Sequence, residues 1–125
     1  MESKRLPHDH GTHAEEMIAN LPNMEDSAKI SDMFKLVSDP SRLRIFLFLC
    51  HCEECVSDIS VAVDMSDPAV SHHLKLMKGS GLITSRRDGK EVYYTLADNE
   101  QAQLLHHACE EMLQITCPID GHHHH

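Results

Sequence analysis

The sequence predicts a mostly α-helical domain with one small β-hairpin. Three observations carry that prediction. Apolar residues recur at helical spacing along most of the chain, Asp39-Pro40 and Asp67-Pro68 mark helix starts, and Asp88-Gly89 separates two alternating runs. The 125 residues suffice for one domain with a modest core. Apolar residues make up 41% and charged residues 25%, a globular balance rather than a disordered one. The longest apolar run, Ile45–Cys50, falls far short of the roughly 18 residues a membrane helix needs. The N-terminal segment has no apolar signal core, so the expected compartment is the cytoplasm, with no membrane partner.

The elements follow in order. Residues 1–23 read as a polar extension bearing His8, His10 and His13. It is expected to be helical over Thr12–Ala19, with Thr12 and Glu15 as a capping box. From Ser27 onward Ile30, Met33, Phe34 and Val37 define one helix face. Asp39 then acts as an N-cap with Pro40 at the first helical position, and Leu43, Phe46, Leu47 and Cys50 are the expected buried stripe. A short third helix follows Cys52–Cys55, with Val56, Ile59 and Val63 inward. Met65-Ser66 is a tight turn, and Asp67-Pro68 caps a fourth helix whose stripe is Val70, Leu74 and Met77, ended by Gly79 and Gly81. Leu82–Arg87 and Lys90–Leu96 flank Asp88-Gly89 as hairpin strands. Asp98 is expected to cap the last helix, which carries Leu104, Leu105, Ala108, Met112, Leu113 and Ile115. The expected division is an extension over 1–23, a domain over 24–117 and a tail over 118–125, whose His122–His125 reads as a purification tag. Two short helices joined by a tight turn, then a hairpin, make a winged helix-turn-helix.

The charge pattern points to a partner. Eleven Lys and Arg against twenty Asp and Glu leave a net charge of −9. Yet Ser66–Lys90 holds Lys75, Lys78, Arg86, Arg87 and Lys90 against only Asp67 and Asp88, a local positive excess. Release of counterions from phosphates drives non-specific DNA affinity, so a basic strip on an acidic body directs a duplex to one face. Helical geometry puts Ser71, His72 and Lys75 opposite the apolar stripe, with His73 on the flank. The expected DNA contacts are Ser66, Pro68, Ser71, His72, His73, Lys75 and Lys78, with Arg86, Arg87 and Lys90 around the hairpin tip. The bland alternative is a solvated basic patch.

Asp39-Pro40-Ser41-Arg42, Ala69-Val70-Ser71-His72-His73-Leu74 and Gly89-Lys90-x-Val92-Tyr93-Tyr94 resemble the ArsR/SmtB family of metal-sensing winged-helix repressors, across roughly residues 27–116. Gly11-Thr12-His13-Ala14 is similar to the N-terminus of its zinc-sensing branch. The resemblance implies a homodimeric repressor that leaves operator DNA when an inducer binds. Pairing through the first and last helices would bury apolar stripes that a small core leaves uncovered, and a two-fold dimer reads half-sites roughly 34 Å apart.

Five cysteines, three of them within Cys50–Cys55, suit metal or redox chemistry in a reducing compartment rather than a disulfide framework. Cys55 and Asp58 share a helix face at i, i+3. By the resemblance, His13 matches the extension histidine of the zinc branch, and Asp9 or His10 stands where that branch has a cysteine. With Cys52 as a further thiolate, the first candidate metal set is His10, His13, Cys52, Cys55 and Asp58. Mixed donors of this kind suit Zn2+, whereas Cd2+ or Pb2+ favours more thiolate. Ser57 stands where the cadmium branch has a second cysteine, which tilts the reading to zinc. The second candidate set is on the last helix. The family pairs an Asp-x-His with a His-x-x-Glu/His across the dimer, and the matching positions here are Asp98, Glu100, Glu111 and Gln114. Glu100 lies within about 20° of both His107 and Glu111 on the helical wheel, and His107 would substitute, giving Asp98, Glu100, His107 and Glu111. The dull readings are that Asp98 only caps, the glutamates are a solvated face and Cys50 is a core thiol. Rival sensors on the same fold would use Cys50 with Cys109 for redox or sulfide chemistry, or Cys50, Cys52 and Cys55 for arsenite. Glu53 and Glu54 blunt the thiolates beside them. An enzyme is not expected: there is no nucleophile–base pair, glycine-rich phosphate loop or zinc-protease signature.

Overall fold

The computed structural model describes residues 6–8 and 11–117. The expectations for Asp9, His10 and the tail over 118–125 lie outside the described residues. The order is α1 (Gly11–Ala19), α2 (Met24–Leu36), α3 (Pro40–Leu49), β1 (Glu54–Cys55), α4 (Val56–Val63), α5 (Asp67–Gly79), β2 (Ile83–Asp88), β3 (Glu91–Leu96) and α6 (Glu100–Thr116). The chain divides into two compact units, residues 1–34 and 35–125.

In the first unit, Thr12 lies inside the first turn of α1 rather than ahead of it. Helix α2 starts earlier than the periodicity indicates. The Asn23 side chain accepts from the Asp26 amide at 2.8 Å, and Glu25 and Asp26 in the first turn suit the positive end of the helix dipole.

The second unit is built around α3. The Asp39 side chain accepts from the Arg42 amide at 2.9 Å, with Pro40 just inside the helix. That bond, ahead of the nearby positive charges, holds the Asp39 carboxyl below its ordinary value. The buried face differs from the expected stripe: Ile45, Phe46 and Leu49 are buried, while Leu43, Leu47 and Cys50 are half-buried. The second half of α3, Ile45–Leu49, is apolar without a break, so spacing alone does not select its inner face. Its residues meet Ile59 of α4, Val70, Leu74 and Met77 of α5, and Leu82, all essentially fully buried, in one core.

The sheet has three antiparallel strands in the order β1-β3-β2, one more than the sequence indicated. Glu54 and Cys55 pair with Tyr94 and Tyr93. A two-residue strand carries no periodicity, and only tertiary pairing reveals it. The hairpin turn also sits one residue later than expected. Asp88 pairs with Glu91, so Gly89-Lys90 is the two-residue loop, and Gly89 takes the positive φ of 66° that a type II′ turn needs at its first position. Two caps also shift by one residue. Ser66, not Asp67, caps α5 by accepting from the Ala69 amide, and Asn99, not Asp98, caps α6 by accepting from the Ala102 amide at 2.8 Å. Asn99 also donates to the Gly81 carbonyl at 2.8 Å, a second partner that favours it as the cap.

Candidate nucleic-acid interface and metal ligands

Helices α4 and α5 are joined by Asp64-Met65-Ser66. Asp64 holds φ 56°, the one positive φ at a non-glycine among the described residues. Its amide donates to the Val61 carbonyl and the Met65 amide to the Ser60 carbonyl, the paired bonds of a Schellman stop. Asp tolerates the left-handed region better than most residues. Arg44 donates to the Val63 carbonyl at 3.1 Å, fastening the same corner to α3. This turn lets α5 bury Val70, Leu74 and Met77 while Ser71, His72, Lys75 and Lys78 face solvent, together with Ser66 and Pro68 at its start.

His73 behaves differently from its neighbours. It is half-buried, and Arg42 Nε donates to its Nδ1 at 3.1 Å. Burial first, then the Arg42 guanidinium, push its pKa below the ordinary value, with Asp39 opposing. The ring is therefore a neutral acceptor bracing α5 against α3. Arg86 on the hairpin is similarly engaged. Its Nε and Nη2 both donate to Glu53 Oε1, at 3.0 and 2.7 Å, and its guanidinium lies over the Tyr93 ring at 5.0 Å. Arg87 and Lys90 are exposed and make no ion pair among the described residues. The exposed cationic side chains of α5 and the hairpin that enter no ion pair among the described residues are thus Lys75, Lys78, Arg87 and Lys90.

Among the candidate metal ligands, the structure brings Cys55 and Asp58 together. Cys55 is buried ahead of α4, and its Sγ lies 3.5 Å from Asp58 Oδ2. Cys52 is half-buried, and its carbonyl accepts from Thr95 Oγ1 at 3.2 Å. His13 is exposed on α1 in the first unit. On α6, Glu100, His107 and Glu111 are exposed, as is Asp98 before it. Glu100 and His107 are two turns apart, roughly 10 Å along the axis, so one ion reaches both only through a second subunit.

A grouping that sequence reasoning missed joins His51, His106 and Glu110, the one set of three or more such donors found close together among the described residues. The helical spacing of His106 and Glu110 was available in the sequence, but nothing local pointed to His51. The thiols nearby are poor nucleophiles. Burial, then the charges of Cys109 and Glu110, push Cys50 up to about 12, and burial with Glu110 raises Cys109 as well.

A helix-turn-helix with an exposed cationic outer face, followed by a hairpin wing, defines a DNA-binding regulator. Comparison with known proteins carries this further. Residues 39–85 match the bacterial regulatory protein, arsR family, helix-turn-helix signature. A transcriptional repressor SmtB homolog from Synechocystis sp. is 34% identical over 90 residues, covering 72% of this chain and 68% of that protein. A cadmium resistance transcriptional regulatory protein CadC from Listeria innocua is 40% identical over 81 residues, covering 64% of this chain and 68% of the relative. Among solved structures, HlyU from Vibrio cholerae superposes with a TM-score of 0.66 at 26% identity, covering 72% of this chain and 97% of that one. A homodimeric winged helix-turn-helix DNA-binding domain from Mycobacterium bovis gives 0.64 at 26% identity, covering 84% and 97%. The chain belongs to the ArsR family. It is a winged helix-turn-helix protein of transcription regulation, and these relatives are regulators, not enzymes. No helix among the described residues is long and apolar enough to cross a membrane.

Proposed function

We propose that this chain is a cytoplasmic repressor that binds operator DNA as a homodimer and releases it on binding a divalent metal ion, Zn2+ ahead of Cd2+ or Pb2+. The observation that supports the metal response best is the Cys55 thiol 3.5 Å from the Asp58 carboxylate, at the start of the helix that leads into the reading helix. The pair offers one soft and one hard donor. Cys52 is a further candidate thiolate of the same unit, and mixed donors of this kind suit a tetrahedral borderline cation. Asp98, Glu100, His107 and Glu111 are the candidate ligands at a dimer-bridging second position. Dimer formation is supported by α6, whose Leu104 and Ile115 are 71% and 74% exposed.

A cation loosens the grip on DNA only if it binds the non-fitting arrangement of the dimer more tightly than the fitting one. Coupling of this kind is typically worth about 1–3 kcal/mol, or 5–150-fold in DNA affinity. The thiol-based alternatives are weakened by the raised thiols, and Cys50, Cys52 and Cys55 do not converge as a three-thiolate group among the described residues.

The test is a zinc titration of the protein bound to a duplex selected from a random pool, followed by fluorescence anisotropy. Affinity is expected to fall by about 5–150-fold, and Cys55→Ser is expected to blunt the fall. Unchanged affinity at saturating zinc overturns the reading.

A further inference from the structure

We propose that His51, His106 and Glu110 form a separate site for a borderline divalent cation of the Zn2+ or Co2+ class, held by two imidazoles and one carboxylate with a fourth position open to water. The proposal does not rest on Cys55 or on the identity of the inducer.

His51 lies in the turn that ends α3, its amide donating to the Phe48 carbonyl at 3.2 Å. His106 and Glu110 are one turn apart on α6, the i, i+4 spacing that places two ligands on one helix face. Both imidazoles turn Nε2 toward the same carboxylate oxygen: His51 at 3.2 Å and His106 at 2.7 Å from Glu110 Oε1. The two rings stand 5.1 Å apart at 83°, edge to face. The candidate ligand atoms all lie within 4.8 Å of one another.

Metal geometry makes these distances informative. A tetrahedral ion with bonds of roughly 2.0–2.1 Å holds its donors about 3.3 Å apart. The 3.2 Å between His51 Nε2 and Glu110 Oε1 falls near that value, and the 2.7 Å hydrogen bond from His106 opens by about 0.6 Å when a cation replaces the shared proton. The side chains are 51%, 19% and 33% exposed, which leaves a path for the ion and room for a water ligand. Both donor imidazoles use Nε2, leaving each Nδ1 for an orienting partner. A set with two imidazoles and no thiolate favours zinc, cobalt or nickel over cadmium or lead.

The position gives such an ion leverage. Ala102 is the one buried residue of α6, while Met112 and Ile115 toward its end are 62% and 74% exposed. A cation at Glu110 ties this thinly anchored half of α6 to the end of α3, the helix that precedes the helix-turn-helix. Occupancy would thereby set how the exposed face of α6 is presented to a second subunit.

The experiment uses Co2+ alone as the probe, added to the reduced full-length chain and read by visible absorption and native mass spectrometry. Wild type is compared with His51→Ala, His106→Ala, Glu110→Gln and Cys55→Ser. The terminal histidines are common to every variant, so the differences report the sites. His51→Ala and His106→Ala are expected to carry one Co2+ fewer per chain. Their affinity at this site should fall beyond the roughly 10–100-fold that loss of an outer-shell partner costs. Neither variant should lose the near-ultraviolet thiolate-to-cobalt band that a Cys55 site would give. Cys55→Ser should lose that band and keep the His51-dependent ion. If a histidine variant loses helicity, Glu110→Gln decides, because it preserves side-chain shape and hydrogen bonding. Equal Co2+ stoichiometry and affinity in folded His51→Ala or Glu110→Gln overturns the proposal and leaves the trio a hydrogen-bonded strut. A wild type that lacks the thiolate band counts against the Cys55 site alone.

Discussion

Helices α5 and α6 both carry an apolar stripe opposite a polar face, yet they end in opposite environments. Val70, Leu74 and Met77 of α5 are essentially fully buried, and Ser71, His72 and Lys75 face water. On α6 only Ala102 is buried, while Leu104, Met112 and Ile115 are exposed. Amphipathicity therefore states that a face must be covered, and leaves open which surface covers it. For α5 the cover is α3 and α4 of the same chain. For α6 it is a second copy under the dimer reading, since an exposed apolar patch of this kind marks an interaction surface.

The largest expected effect separates the two helices directly. Leu74→Ala should cost about 2–5 kcal/mol of stability through a core cavity, read as a lower urea midpoint. Leu104→Glu should instead leave the helical circular dichroism intact and move the sedimenting species from dimer to monomer. Operator affinity should then drop by about 100-fold, because two half-sites are no longer linked. A dimer that survives Leu104→Glu together with Ile115→Glu removes α6 from the interface.

A smaller effect sharpens the reading of the outward face. Lys75→Ala and Arg87→Ala should each lower the slope of log affinity against log salt by about 1. Arg86→Ala should change it less, because Glu53 already holds that guanidinium. Glu53→Gln, which frees Arg86, should tighten DNA binding. An Arg86→Ala slope change as large as that of Arg87→Ala would show that the ion pair opens on DNA.

The smallest effect concerns pH. Burial and the Arg42 guanidinium lower the pKa of His73, so the folded state favours the neutral ring. The stability this contributes is complete above the ordinary histidine value of 6.5 and is lost as pH falls below it toward the depressed folded value. The stability advantage of wild type over His73→Asn should shrink between pH 7 and pH 5.5 in urea unfolding. An advantage that grows on acidification contradicts a neutral, accepting His73.

What could be read in advance follows the range of the interactions. Cys55 and Asp58 are three residues apart, so their closeness was legible, but Cys55 is the extended cap residue ahead of α4 rather than part of its face, and its Sγ lies 3.5 Å from the Asp58 carboxylate. Asp39-Pro40 announced the start of α3 for the same reason, since a cap is a contact between near neighbours. The buried face of α3 was misjudged because its second half, Ile45–Leu49, is apolar without a break and has no period to read. The caps of α5 and α6 slipped by one residue because Ser66 and Asp67, or Asp98 and Asn99, offer chemically similar side chains in adjacent positions.

From the sequence alone came the helix order, the hairpin, the basic reading segment and the local Cys55–Asp58 pair, all governed by contacts within a turn or two of chain. Only the folded chain decided that β1 joins β3, that Glu53 occupies Arg86 across 33 residues, that Arg42 braces His73 across 31, and that His51 meets His106 and Glu110. The physical reason is that short-range periodicity and capping are properties of a segment. A hydrogen bond between distant residues is made when burial of a shared core brings their backbones together.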